Sequence, residues 1–96
     1  MLFRSEQYEL ALEILQDDPA TGPGQLLKPL YEILRIDTIL GEPRRSQRRL
    51  EEALEAAPTA EPLMRAEGLA ALGDTALVDG DIEPAIARYQ IGRAHV

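Results

Sequence analysis

Six helix-breaking residues constrain this chain more than anything else in it: Pro19, Pro23 and Gly41 recur as Pro58, Pro62 and Gly80, each 39 residues later. Proline lacks the amide donor that an interior helical turn needs. Glycine takes the left-handed backbone of a tight reversal without strain. A chain punctuated twice at one spacing repeats one unit of structure. Other positions keep the register: Leu15 falls on Leu54, Leu30 on Leu69, Arg49 on Arg88, Pro29 on Gly68 and Leu50 on Tyr89.

Between the breakers, apolar residues recur at helical spacing and strand-like alternation is nearly missing. The punctuation predicts helices over about 5–17, 24–40, 42–57 and 60–78, with a fifth starting near Ile82. The fold class expected is therefore all-α: antiparallel helix-pair repeats, about five helices in all. The units read as a half repeat over 1–18, a helix pair over 19–58, a second pair over 59–90, and a tail over 91–96. Only four residues are aromatic (Phe3, Tyr8, Tyr31 and Tyr89), so the core has to be built from Leu, Ile and Ala.

The stretch GDIEPAIARYQ carries Gly80, Ile82, Ala85 and Tyr89 in the order glycine, large, alanine, aromatic. It resembles the second helix of a tetratricopeptide repeat. Leu69, Leu72, Gly73 and Ala76 fall where that family places the large and small residues of its first helix. Gly41, Ser46, Leu50, Ala53, Leu54 and Pro58 fit the preceding unit in the same way. The period departs from the family's usual 34 residues, with the excess in ATGPGQLLKP and TAEPLMRAEG. Leu34 also stands where the family has a small residue, and Asp37 where it has a large apolar one. The resemblance implies a short right-handed α-solenoid. Gly41, Ser46, Leu50, Ala53, Leu69, Gly73, Ala76, Gly80, Ala85 and Tyr89 would be its packing positions, with Leu50 and Tyr89 filling the space between successive units.

The same resemblance places the first helix of each pair on a concave surface. Lys28, Tyr31, Arg35 and Thr38 would line it from one unit, and Glu67, Ala70, Asp74 and Leu77 from the next. One reading is a groove that receives a protein or peptide partner, with Lys28 and Arg35 gripping acidic groups. The other pairs Lys28 with Glu67 and Arg35 with Asp74 across neighbouring helices. The cluster Arg44, Arg45, Arg48 and Arg49 is followed by Glu51, Glu52 and Glu55, so a salt-bridged outer face with Arg48 pairing to Glu51 and Glu52 is expected.

A formal charge of −7 argues against nucleic acid as a partner. No cysteine is available for a disulfide or a thiolate metal site, and DGDIE fails as a calcium loop because Gln90 stands where the bidentate glutamate belongs. Asp81 reads instead as the cap of the fifth helix. With one histidine and no phosphate loop, no catalytic, cofactor or metal constellation is expected. Arg4 and Glu6 interrupt any signal-like apolar stretch, and no window approaches the ~18–20 apolar residues of a membrane span. A soluble chain is expected, with the cytoplasm favoured.

The tail IGRAHV resembles the translation of one frame of a widely used short-read sequencing adapter, followed by a stop. Continuing the register puts Ile91 on Glu52, Gly92 on Ala53 and Arg93 on Leu54, an inverted pattern of polar and apolar residues. Native coding sequence is thus expected to end near Gln90, leaving His95 without a role. Met1 reads as an internal start. Nine arginines against one lysine suggest a GC-rich, bacterial-type gene. The expected function is a non-catalytic interaction scaffold. The alternative is the repeat region of a larger enzyme, transcriptional regulator or envelope signal or energy transducer. Exposed solenoid ends are expected to make the chain marginally stable or self-associating.

Overall fold

The computed structural model describes residues 4–94, with side chains through residue 92. The readings that concern Met1, Phe3, His95 and Val96 lie outside the described residues. Five α-helices follow one another: α1 (Arg4–Asp17), α2 (Leu27–Leu40), α3 (Arg44–Ala56), α4 (Pro62–Val78) and α5 (Ile82–Ala94). A single 3-10 turn over Pro23–Leu26 leads into α2, which therefore begins later than the breakers alone suggest. No strand occurs among the described residues. The chain is all-α, as expected.

The repeat is visible in the hydrogen bonds of its turns. Asp18 N–H donates to the Leu15 carbonyl at 3.3 Å and Thr21 N–H to that of Asp18 at 3.0 Å. Residues 39 positions later do the same, Ala57 to Leu54 at 3.3 Å and Ala60 to Ala57 at 3.2 Å. The helix ends match too. Gly41 donates to Thr38 O and Glu42 to Asp37 O, while Gly80 donates to Leu77 O and Asp81 to Ala76 O. Each pair is the crossed closure of a Schellman cap, which requires a left-handed residue at its centre. Gly41 and Gly80 supply it with φ of 81° and 83°. Asp81 acts through its backbone, its carbonyl accepting from Ala85 N–H at 3.1 Å.

Helix starts are closed by different chemistry. Glu61 caps α4, its carboxylate accepting from Leu63 and Met64 N–H, each at 3.1 Å. Ahead of α2, Gly22 N–H donates to Gln25 Oε1 at 3.0 Å. Pro23 and Pro62 occupy the first turns, where an absent N–H costs nothing. The last carbonyls of α3 have another partner: Arg65 Nη1 donates to Leu54 O at 2.8 Å and to Ala57 O at 2.6 Å. A cation at a helix C-terminus also opposes the negative end of the helix dipole.

Helix α2 packs against α1, α3 and α4, and α4 against α2, α3 and α5. Arg49–Glu9 at 2.7 Å ties α3 to α1, and Arg88–Glu51 at 3.1 Å ties α5 to α3. The molecule is therefore two layers, with α2 and α4 in one and α1, α3 and α5 in the other. Its extents of 37 × 32 × 17 Å agree, because the thin dimension is that of two stacked helices. The first and second turns also touch. A Cβ placed on Gly24 would lie 2.9 Å from that of Ala60.

Leu12, Leu27, Leu34 and Leu50 are almost wholly buried between the layers, each contributing about 1.5–3 kcal/mol by leaving water. The two units fill equivalent space differently. Unit one places Leu34 and Leu50, both buried, at the positions where unit two has Gly73 and Tyr89. The Tyr89 ring lies on Gly73, its Cε1 only 2.9 Å from where a Cβ would be. Two leucines in one unit become a glycine and a tyrosine in the other. Asp37 and Ser46, which share a hydrogen bond, are likewise replaced by Ala76 and Ala85. Asp37 thus sits at an apolar position because Ser46 donates to it.

Helix α5 runs through residues 90 and 91 without a break. Ile91 is exposed like Glu52, and Gly92 is buried like Ala53, facing Ala66 and Leu69.

Candidate partner-binding face

The sequence singled out the face of α2 and α4, and its residues come together there with altered partners. Arg35 is the centre. Its guanidinium lies 5.1 Å from the centroid of the Tyr31 ring. Nη2 donates to Glu67 Oε2 at 3.0 Å and Nη1 to Glu32 Oε1 at 3.4 Å. Tyr8 of α1 donates its hydroxyl to the other oxygen of Glu32 at 3.5 Å. Three helices therefore meet around one cation.

Two expected pairings are corrected. Arg35 bonds Glu67 and not Asp74, and Lys28 is exposed with no ion-pair partner among the described residues. The reason is geometric. Helices α2 and α4 run parallel but staggered, since Arg35 meets Glu67 and even the short Thr38 meets Thr75 and not its counterpart Leu77. Residues of α2 therefore face earlier residues of α4 than equal register implies.

Tyr31 is also not a surface contact. It is 6% exposed, beneath Arg35 and within the core cluster. Burial pushes its phenol above the ordinary range, the Glu67 and Glu32 carboxylates push in the same direction, and Arg35 opposes them. Thr38 is half-buried, its hydroxyl 2.7 Å from Leu34 O and 2.8 Å from the Thr75 hydroxyl, which itself lies 3.0 Å from Ala71 O. Two hydroxyl protons can serve two of these three contacts at a time, and the hydroxyl-to-hydroxyl bond, when made, ties α2 to α4. Ala70 is half-buried, and Asp74 and Leu77 are exposed. Tyr89 donates its hydroxyl to Asp74, and that bond, followed by burial, raises its phenol. Tyr89 thus packs within its own unit, against Gly73. Of the other packing positions, Ser46, Leu50, Ala53, Leu69, Gly73 and Ala85 are buried and Ala76 half-buried.

The arginine cluster departs from expectation. Arg49 reaches Glu9, and Glu51 is taken by Arg88, leaving Arg48 without the local pairs that i, i+3 and i, i+4 spacing suggests. Arg44 and Arg45 instead line a cleft of about 700 Å³ between the two inter-helix turns, opposite Asp79 and Asp81. Sequence reading missed this cleft, because its two walls are 34 or more residues apart and share no motif. Among the described residues no group of three or more His, Cys, Asp or Glu could hold a metal, and no helix is long and apolar enough to cross a membrane.

Comparison of the chain with protein-family models, with curated proteins and with solved structures finds no match in any of the three.

Proposed function

We propose that this chain is a tetratricopeptide-like repeat scaffold, wound as a short right-handed α-solenoid, that binds a partner protein or peptide without catalysing a reaction. The observation that carries this reading is the ordered polar strip along α2 and α4. Arg35 lies on Tyr31 between two carboxylates, Lys28 stands unpaired on one side, and Asp74 is exposed on the other. A guanidinium held in place loses little freedom on binding, and preordering of this kind favours affinity. The charges alternate along the strip, so a ligand with acidic and basic groups fits it better than a polyanion.

The test is affinity capture by the chain and by three variants: Lys28→Glu, Arg35→Ala and, as a control on the opposite layer, Arg48→Ala. A partner retained by Arg48→Ala and lost by the other two supports the strip as the binding face. Equal capture by all four proteins would remove these residues from the site.

A further inference from the structure

Four charges line the cleft between the two inter-helix turns, and none of them is paired among the described residues. Arg44 and Arg45 stand on the wall made by the α2–α3 turn, Asp79 and Asp81 on the wall made by the α4–α5 turn, and no ion pair crosses between them. Elsewhere arginine is put to use within the chain: Arg35, Arg49 and Arg88 bond carboxylates, and Arg65 bonds two carbonyls. A second recess of about 340 Å³ extends the cleft along α3, sharing Arg44, Asp79 and Asp81 and adding Arg48.

Packing of one unit on the next does not require these charges. The residues 39 positions after Arg44 and Arg45 are Glu83 and Pro84, and the one 39 positions before Asp79 is Leu40. The separation of signs is thus particular to this junction and not a property of the repeat. Both walls belong to units already packed on each other, so a helix pair stacked on the other side of α4 and α5 would leave the cleft as it is.

The walls also differ in hydrogen-bond sense. A guanidinium only donates and an ionised carboxylate only accepts, so an occupant has to accept at one end and donate at the other. An apolar molecule gains nothing from such a lining, and a polyanion meets Asp79, Asp81 and Glu42. The volume of about 700 Å³ lies in the range of small-ligand sites. A single amino acid carries its two charges on one carbon and leaves most of that volume empty, whereas a few linked residues separate the charges and fill it. We propose that the cleft binds a short peptide with free ends, its carboxylate on Arg44 and Arg45 and its ammonium on Asp79 and Asp81. The inference concerns a different region from the α2–α4 strip and stands whether or not that strip binds anything.

The probes are triglycine, its N-acetyl derivative, its C-terminal amide and free glycine, each titrated at millimolar concentration into the ¹⁵N-labelled full chain. Triglycine should shift the amide resonances of residues 41–45 and 79–81. The two blocked peptides should bind about fivefold more weakly, each having lost one exposed charge pair, and glycine no more tightly than they do. Arg44→Gln with Arg45→Gln should bind triglycine and its amide alike, and Asp79→Asn with Asp81→Asn should bind triglycine and its N-acetyl form alike. All four side chains are exposed, so these variants keep the fold, and a helical circular-dichroism spectrum checks that they do. Absence of a shift at these residues would overturn the proposal, as would equal affinity for triglycine and both blocked forms. Glycine binding as tightly as triglycine would overturn it too, by giving the cleft to a free amino acid.

Discussion

Two glycines inside one helix provide the sharpest test of how the units pack. Gly68 and Gly73 both lie in the interior of α4 and both are buried. Replacing either with alanine removes the same backbone penalty, about 1 kcal/mol. Their surroundings differ. A Cβ on Gly68 would meet Leu54 at 3.4 Å and Leu50 at 3.5 Å, which is ordinary contact. Gly68→Ala should therefore keep the whole gain and add part of a buried methyl, for a total of about 1–1.5 kcal/mol. A Cβ on Gly73 would lie 2.9, 3.0 and 3.2 Å from three atoms of the Tyr89 ring. Overpacking of that kind costs about 1–3 kcal/mol, so Gly73→Ala should be neutral or destabilising by up to about 2 kcal/mol. In a domain of this size 1 kcal/mol moves Tm by about 4–8 °C, which circular dichroism at 222 nm resolves. Unit one supplies the remedy, since it fills the same space with two leucines, Leu34 and Leu50. In a double-mutant cycle Gly73→Ala and Tyr89→Leu should couple favourably by about 1 kcal/mol. If Gly73→Ala stabilises the chain as much as Gly68→Ala, the ring does not lie where this reasoning needs it.

Three further outcomes follow from the same packing. Ser46→Ala alone should cost about 1–3 kcal/mol by removing the donor to half-buried Asp37, whereas Ser46→Ala with Asp37→Ala recreates the Ala76–Ala85 pair and should be close to neutral in urea denaturation. Arg65→Ala removes the charged donor from the Leu54 and Ala57 carbonyls, which keep their backbone donors, and should lower stability by about 1 kcal/mol, with Arg65→Lys recovering only part because one ammonium replaces a planar fork. The phenols of Tyr31 and Tyr89 are held above the usual value of about 10. Unfolded phenols ionise first, so this contribution is fully present below pH 10 and is lost as pH rises through the folded values. Thermal scans from pH 9 upward should show stability falling, with the fall reduced in Tyr89→Phe.

Much of this architecture is legible in the chain itself, for reasons confined to a few consecutive residues. A Schellman cap needs one left-handed residue after a helix, so Gly41 and Gly80 mark both reversals. A proline in a first turn marks both restarts. Because the requirements are local, their recurrence at 39 residues carries over into matching turn hydrogen bonds. The apolar stripe of α2 places Leu27, Leu30, Ile33 and Leu34 in the core for the same local reason. The candidate face was legible only as a set of positions. Lys28, Arg35, Asp74 and Leu77 do face solvent in whole or part, but Tyr31 does not, and helical spacing alone could not show that Arg35 would cover it.

The partners on that face belong to the tertiary structure. Equal register pairs Arg35 with Asp74, whereas the stagger of the parallel helices α2 and α4 delivers it to Glu67. Spacing within α3 pairs Arg48 with Glu51, but the layer of α1, α3 and α5 brings Arg88 there instead and sends Arg49 to Glu9. The sequence by itself determined where helices start, stop and recur, because those events depend on φ, on missing donors and on residues a turn apart. Only the packed structure decided which charges meet and which tyrosine is covered. Those outcomes depend on the stagger and crossing of helices far apart in the chain.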